Sequence, residues 1–176
     1  MAANASVLVV TAREVSRQLN AATGPSASVE WSTGRFESVV SWADWDEKLE
    51  DLATLHVDVV PVGFPTEDGF ELEARGRVVF RPMIDIGVRY RFDLGSSQVD
   101  GVGRIDFDTV GVYEHLLEQI AEFFAANRFV DTGAIVWQSV DFRTAFDRDT
   151  LRRLGQYLGI VRVAFDFTKD AGAANQ

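Results

Sequence analysis

From Val78 to Phe92 the chain alternates. Val78, Phe80, Ile84, Ile86, Val88, Tyr90 and Phe92 are apolar at even positions, while Arg77, Arg81, Asp85, Arg89, Arg91 and Asp93 are charged at odd ones. A two-residue period predicts a strand with one side on a core and the other in solvent or on a partner. Pro82 lacks an N–H and interrupts the ladder, so the strand proper is expected over Met83–Phe92. A second alternating run, Leu55 to Pro61, sets Leu55, Val57 and Val59 against His56, Asp58 and Val60. Two further strands are predicted at Ala134–Val140 and Leu158–Phe167.

Helical spacing takes over elsewhere. Leu8, Thr11, Ala12, Val15, Leu19 and Ala22 recur every three or four residues behind Ser6 as N-cap, and Gly24-Pro25 stops the run. Val110, Tyr113, Leu117, Ile120 and Phe124 predict the longest amphipathic helix, capped by Asp108 or Thr109 and ending near Asn127. Asp147 caps a short helix with Leu151 and Leu154 inside. The Trp-rich stretch Val29–Trp45 reads as a strand or irregular hairpin, and Asp46–Leu55 as a polar helical turn or loop. Pro61–Arg77 reads as an exposed loop or projecting hairpin with its tip near Asp68-Gly69. Gly95–Asp108 is an acidic loop.

These elements predict a single α+β domain over residues 1–176, with its core in 7–167 and a loose tail in 168–176. The architecture expected is a mixed, mostly antiparallel β-sheet covered by one long amphipathic helix. An N-terminal helix and a short C-terminal helix complete it.

Composition narrows the function. The 176 residues carry 17 Lys and Arg against 27 Asp and Glu, a net charge of −10, and no Cys. A disulfide framework or thiolate metal site is therefore excluded, and nonspecific wrapping of nucleic acid is disfavoured by repulsion from phosphate. An apolar fraction of 47% supports a core. No apolar run is long enough to span a membrane. The short run Val7–Val10 has no basic segment before it and fails as a signal peptide.

Candidate chemistry is sparse. His56 faces away from the core on its strand, and His115 borders the apolar stripe of the long helix; neither has a metal-spaced partner. Gly101 and Gly103 form a GxG without the third glycine of a dinucleotide fingerprint. Asp100, Asp106 and Asp108 could offer oxygens to an ion, but their spacing does not match a calcium loop. No catalytic, cofactor-binding or metal-ligating set is therefore nominated. Trp31, Trp42 and Trp45 read as core or as a subunit interface. The row Arg77, Arg81, Arg89 and Arg91 reads as a solvated strand face or a patch that meets an acidic neighbour.

In order along the chain, Arg17-Gln18-Leu19-Asn20, Leu55-His56-Val57-Asp58-Val59-Val60-Pro61, Ile84-Asp85-Ile86-Gly87-Val88, the helix segment Leu116 to Phe124, Leu151 to Tyr157, and Val161 to Phe165 form a recognisable series. The series resembles the tail-terminator and head–tail completion proteins of tailed bacteriophages, and the likeness runs from Val7 to Phe167. The acidic Gly95–Asp108 segment and the Trp-rich second segment depart from that pattern. The resemblance implies a tail-terminator-like fold and a structural virion protein without catalysis or cofactor. It implies a homo-oligomeric ring, often a hexamer, at the neck. There it would cap the tail-tube protein and join a head–tail connector or adaptor protein, with DNA passing through the lumen without specific binding. Assembly would take place in the host cytoplasm.

Intermolecular contacts are expected from the exposed loops and the basic row. The candidates are Phe64, Asp68, Phe70, Arg77, Arg81, Arg89, Arg91, Asp100 and Asp106, with Phe64 and Phe70 as anchors. The alternative is a small soluble enzyme or ion- or ligand-binding domain that uses His56, His115 or the Asp100–Asp108 acids.

Overall fold

The computed structural model describes residues 6–23, 29–42, 54–65, 70–73, 77–92, 107–127, 135–144, 148–149, 151 and 155–170. Two helices, α1 (Val7–Thr23) and α2 (Phe107–Ala126), accompany a sheet of seven strands among these residues. The strands are β1 (Ser38–Val40), β2 (His56–Gly63), β3 (Phe70–Glu73), β4 (Arg77–Phe80), β5 (Met83–Arg91), β6 (Ile135–Thr144) and β7 (Gln156–Asp170). β1 pairs parallel with β2 and every other pairing is antiparallel, so the fold is α+β with a mixed, mostly antiparallel sheet.

The last strand is the middle of the sheet. One edge of β7 carries β6, and the other carries β5 and then β4. Along that second edge the register never slips, from Arg77 opposite Asp170 to Arg91 opposite Gln156. Pro82 does interrupt the strand as its sequence suggests, since β4 ends at Phe80 and β5 begins at Met83, but the register carries across it. Phe165 N–H donates to the Pro82 carbonyl at 3.1 Å, and proline forfeits only the reciprocal bond. Residues 168–170, expected in the tail, belong to β7 and pair with β4.

β2 and β3 lie in turn along the other edge of the β4–β5 line, so β2 to β5 form one long hairpin. Its arms join after Glu73 and before Arg77, beyond the expected tip at Asp68-Gly69; Asp68 and Gly69 lie outside the described residues. A register shift falls between Pro61 and Gly63, where Gly63 takes a φ of 147° that few other residues adopt.

Other boundaries moved for identifiable reasons. α2 starts at Phe107, which puts Asp108 inside the first turn, where its charge favours the helix dipole. β6 runs on to Thr144 because β7 continues to offer partners. Among the described residues of the Trp-rich stretch only Ser38–Val40 pairs, and it pairs with β2 rather than forming a hairpin of its own. Arg148, Asp149 and Leu151 are helical, while the rest of the expected short C-terminal helix lies outside the described residues. So do residues 46–53 of the expected polar turn and nearly all of the acidic Gly95–Asp108 loop.

One face of the sheet and the inner stripes of both helices share one core cluster. Val57, Val59, Ile84, Ile86, Val88, Val161, Val163 and Phe165 meet Ala12, Val15, Leu19, Leu116, Leu117, Ile120 and Phe124. Trp31 belongs to it and ties the helices together. Its indole N–H donates to the Ala22 carbonyl, and its ring lies 5.9 Å from that of Phe123. Gln119 holds the neighbouring backbone by accepting from Ser32 N–H and donating to the Glu30 carbonyl.

Gly159 marks the tightest approach. A Cβ there would lie 2.6 Å from Tyr157 Oη and 2.9 Å from Leu117 Cδ2. Gly159→Ala is expected to cost about 1–3 kcal/mol by overpacking, read as a lower denaturant midpoint at unchanged slope.

Tyr113 stacks on Tyr90 with ring centroids 4.5 Å apart. Burial, helped by a hydrogen bond with Tyr90, pushes the Tyr113 phenol far above its usual range. Burial also raises that of Tyr157, with Glu114 and Glu118 adding to it. Because the folded values exceed the unfolded ones, the stability these phenols contribute is present below about pH 10 and is lost as pH rises further. Phenolate absorbance should show these two rings ionising only together with unfolding.

Candidate functional site

The second face of the sheet holds the charged residues of the alternating strands. It was expected to be solvated or to await a partner, yet β5 is buried along its whole interior on both faces. The charges are neutralised within the chain. Arg89 donates from Nε and Nη2 to Asp58 Oδ2 at 3.0 and 2.7 Å, and Ser41 Oγ donates to Asp58 Oδ1 at 2.9 Å. Arg162 grips Asp85 with both prongs of its guanidinium, at 2.7 and 2.9 Å. These hydrogen bonds raise the Arg162 pKa further, partly offset by burial. Asp141 stands directly opposite Arg162 on β6. Val60, Leu158 and Ile160 are buried on this face but stand apart from the main core cluster.

The basic row therefore splits. Arg89 is buried and committed to Asp58, so it cannot reach a partner. Arg81 lies 3.5 Å from Asp166 while keeping two-fifths of its side chain exposed. Arg77 is exposed at the start of β4, and Arg91 is half-buried at the end of β5. Phe64, a candidate anchor, is half-buried with its ring 6.2 Å from that of Phe80. Phe70 opens β3 opposite Phe80. Asp68, Asp100 and Asp106 lie outside the described residues.

The two histidines sit on different elements. His56 lies on β2 opposite Arg89, and its Nε2 is buried without a hydrogen-bond partner. His115 is exposed on α2, 3.4 Å from Glu118. Among the described residues no three His, Asp or Glu side chains gather as metal ligands. An open depression of about 400 Å³ at the start of α2 is lined by Asp108, Thr109, Val112 and Tyr113. It pairs one exposed carboxylate with largely apolar walls. No helix among the described residues is long and apolar enough to cross a membrane.

The features left over are the ends of the sheet. At the β1 end Val39 is 53% and Trp42 73% exposed, with Val62 exposed on β2. Trp42 thus parts company with Trp31: one ring is core and the other is surface, while Trp45 lies outside the described residues. At the far end β6 exposes Phe142, flanked by Asp141 and Arg143. Large exposed apolar side chains bordered by charge are what an interface between proteins requires. The sequence picked out the Trp-rich segment but carried no signal for Phe142, which lies beyond the strand end that hydrophobic alternation marks.

No protein-family model matches the chain, and no curated protein matches it.

Proposed function

We propose that this chain is a structural subunit that closes into a ring at the neck of a tailed bacteriophage, capping the tail tube and joining it to the head connector. The observation that carries the reading is the order in which the phage-like segments fall on the elements. Leu19-Asn20 lies in the last turns of α1, Leu55–Pro61 runs into β2, and Ile84–Val88 lies on β5. Leu116–Phe124 lies on α2, and Val161–Phe165 on β7.

Two physical features are compatible with it. A closed ring needs two unlike surfaces on each subunit, and the sheet ends in two unlike edges, one bearing Trp42 and the other Phe142. A net charge of −10 suits a channel that DNA must traverse without sticking. Copies of itself, the tail-tube protein and a connector protein are the partners; hexamers in the virion are the expected form.

Negative-stain microscopy of the purified protein, with and without tail tubes, tests the reading. Rings that cap tube ends are expected; a monodisperse monomer at high concentration that ignores tubes would overturn it. Trp42→Ala should leave stability within about 0.5 kcal/mol of wild type, as surface changes do, while weakening ring formation.

A further inference from the structure

The β1 edge of the sheet is finished in an unusual way. β1 pairs with β2 on one side only, and Ser41 N–H donates to the Val59 carbonyl. Because backbone groups alternate along a strand, Ser38 turns its N–H and carbonyl outward, away from β2. The side chain of Asn20 meets both. Ser38 N–H donates to Asn20 Oδ1 at 2.7 Å, and Asn20 Nδ2 donates to the Ser38 carbonyl at 2.9 Å. This reciprocal pair is what one residue of an added antiparallel strand would supply. Ser16 Oγ also donates to the Ser38 carbonyl at 2.9 Å, but its bonds leave the N–H to Asn20.

We infer that Asn20 is an edge lock. Its carboxamide stands in for a neighbouring strand and denies the β1 edge to main-chain pairing with a second copy of this chain. The surroundings make such a lock necessary. Ser38 itself is buried against α1, where Ser16 and Asn20 meet it, but Glu37 and Val39 on either side are exposed, and Trp42 just beyond is the most exposed large apolar side chain described. An accessible strand edge beside exposed apolar area recruits other strands unless something blocks it. The outer edges of β6 and β3, by contrast, pair with no other described strand, so locking β1 leaves strand pairing between copies to those edges. The inference stands on the hydrogen bonds alone and does not depend on the ring reading.

The test compares Asn20→Ala with Ser16→Ala. Both remove a side-chain bond to the Ser38 carbonyl, but only the first frees the Ser38 N–H. In dilute Asn20→Ala protein the Ser38 amide should exchange with solvent roughly tenfold faster than in wild type. As concentration rises, its average mass by light scattering should climb above that of wild type, and the amide should regain protection. Ser16→Ala should match the assembly state of wild type throughout. If both variants only lose stability, and Asn20→Ala keeps the wild-type mass at every concentration, the lock is refuted. Should Asn20→Ala fail to fold, Asn20→Ser, too short to reach the Ser38 amide yet still polar in the last turns of α1, carries the same two outcomes. Whether wild type forms rings bears on neither result.

Discussion

Arg89→Met is expected to destabilise the fold by about 3–5 kcal/mol, the cost of leaving a buried carboxylate without its cation. Asp58 keeps only a tenth of its side chain exposed, and Arg89 about the same. With the guanidinium gone, Asp58 retains a single hydrogen bond, from Ser41. The double variant Asp58→Leu with Arg89→Met should recover most of that loss, because apolar side chains of similar size avoid the desolvation of both charges. Urea unfolding of both variants checks this. A double variant as unstable as the single would mean that the pair holds the sheet by more than mutual neutralisation.

Phe124→Ala should cost about 3–5 kcal/mol. Phe124 is fully buried and meets Phe165 on β7 edge-on, with ring centroids 5.9 Å apart. It is the point where α2 sits on the central strand, so the cavity would open between two elements that cannot easily close together. Calorimetry should show a large fall in Tm, and amide exchange should quicken along α2 and β7 together. If only the C-terminal turns of α2 lost protection, the helix would be docked mainly by Leu117 and Ile120.

The periodic parts of the fold were readable in advance. α1 and α2 follow their three- and four-residue spacings, and β5 follows its alternation, because those patterns are written in neighbouring residues. Alternation says that two faces differ, but not that the charged one is wet. Asp58 and Arg89 lie 31 residues apart, and only the β2–β5 register brings them together. The same limit hid Asn20, whose partner Ser38 lies 18 residues on. Asp68-Gly69 is the turn signal in the long hairpin, but the pairing of Phe70 with Phe80 carries the arms beyond it, and that is a cross-strand fact. Trp31 and Trp42 look alike in the sequence; one is held by Ala22, Phe36 and Phe123, and the other projects past the end of β1. Of the candidate interface residues, Arg89 is buried with its whole face, paired to Asp58.

The centre of the sheet is also its latest arrival. β7 follows every other described element in the chain, yet β4, β5 and β6 all pair with it. During translation a growing polypeptide can make α1, the long hairpin and α2, but it must leave β5 with an unfilled flank until residues 156–170 emerge from the ribosome. Until then the apolar row from Ile84 to Tyr90 is half covered, which favours slow closure and gives a chaperone a period in which to hold the nascent chain.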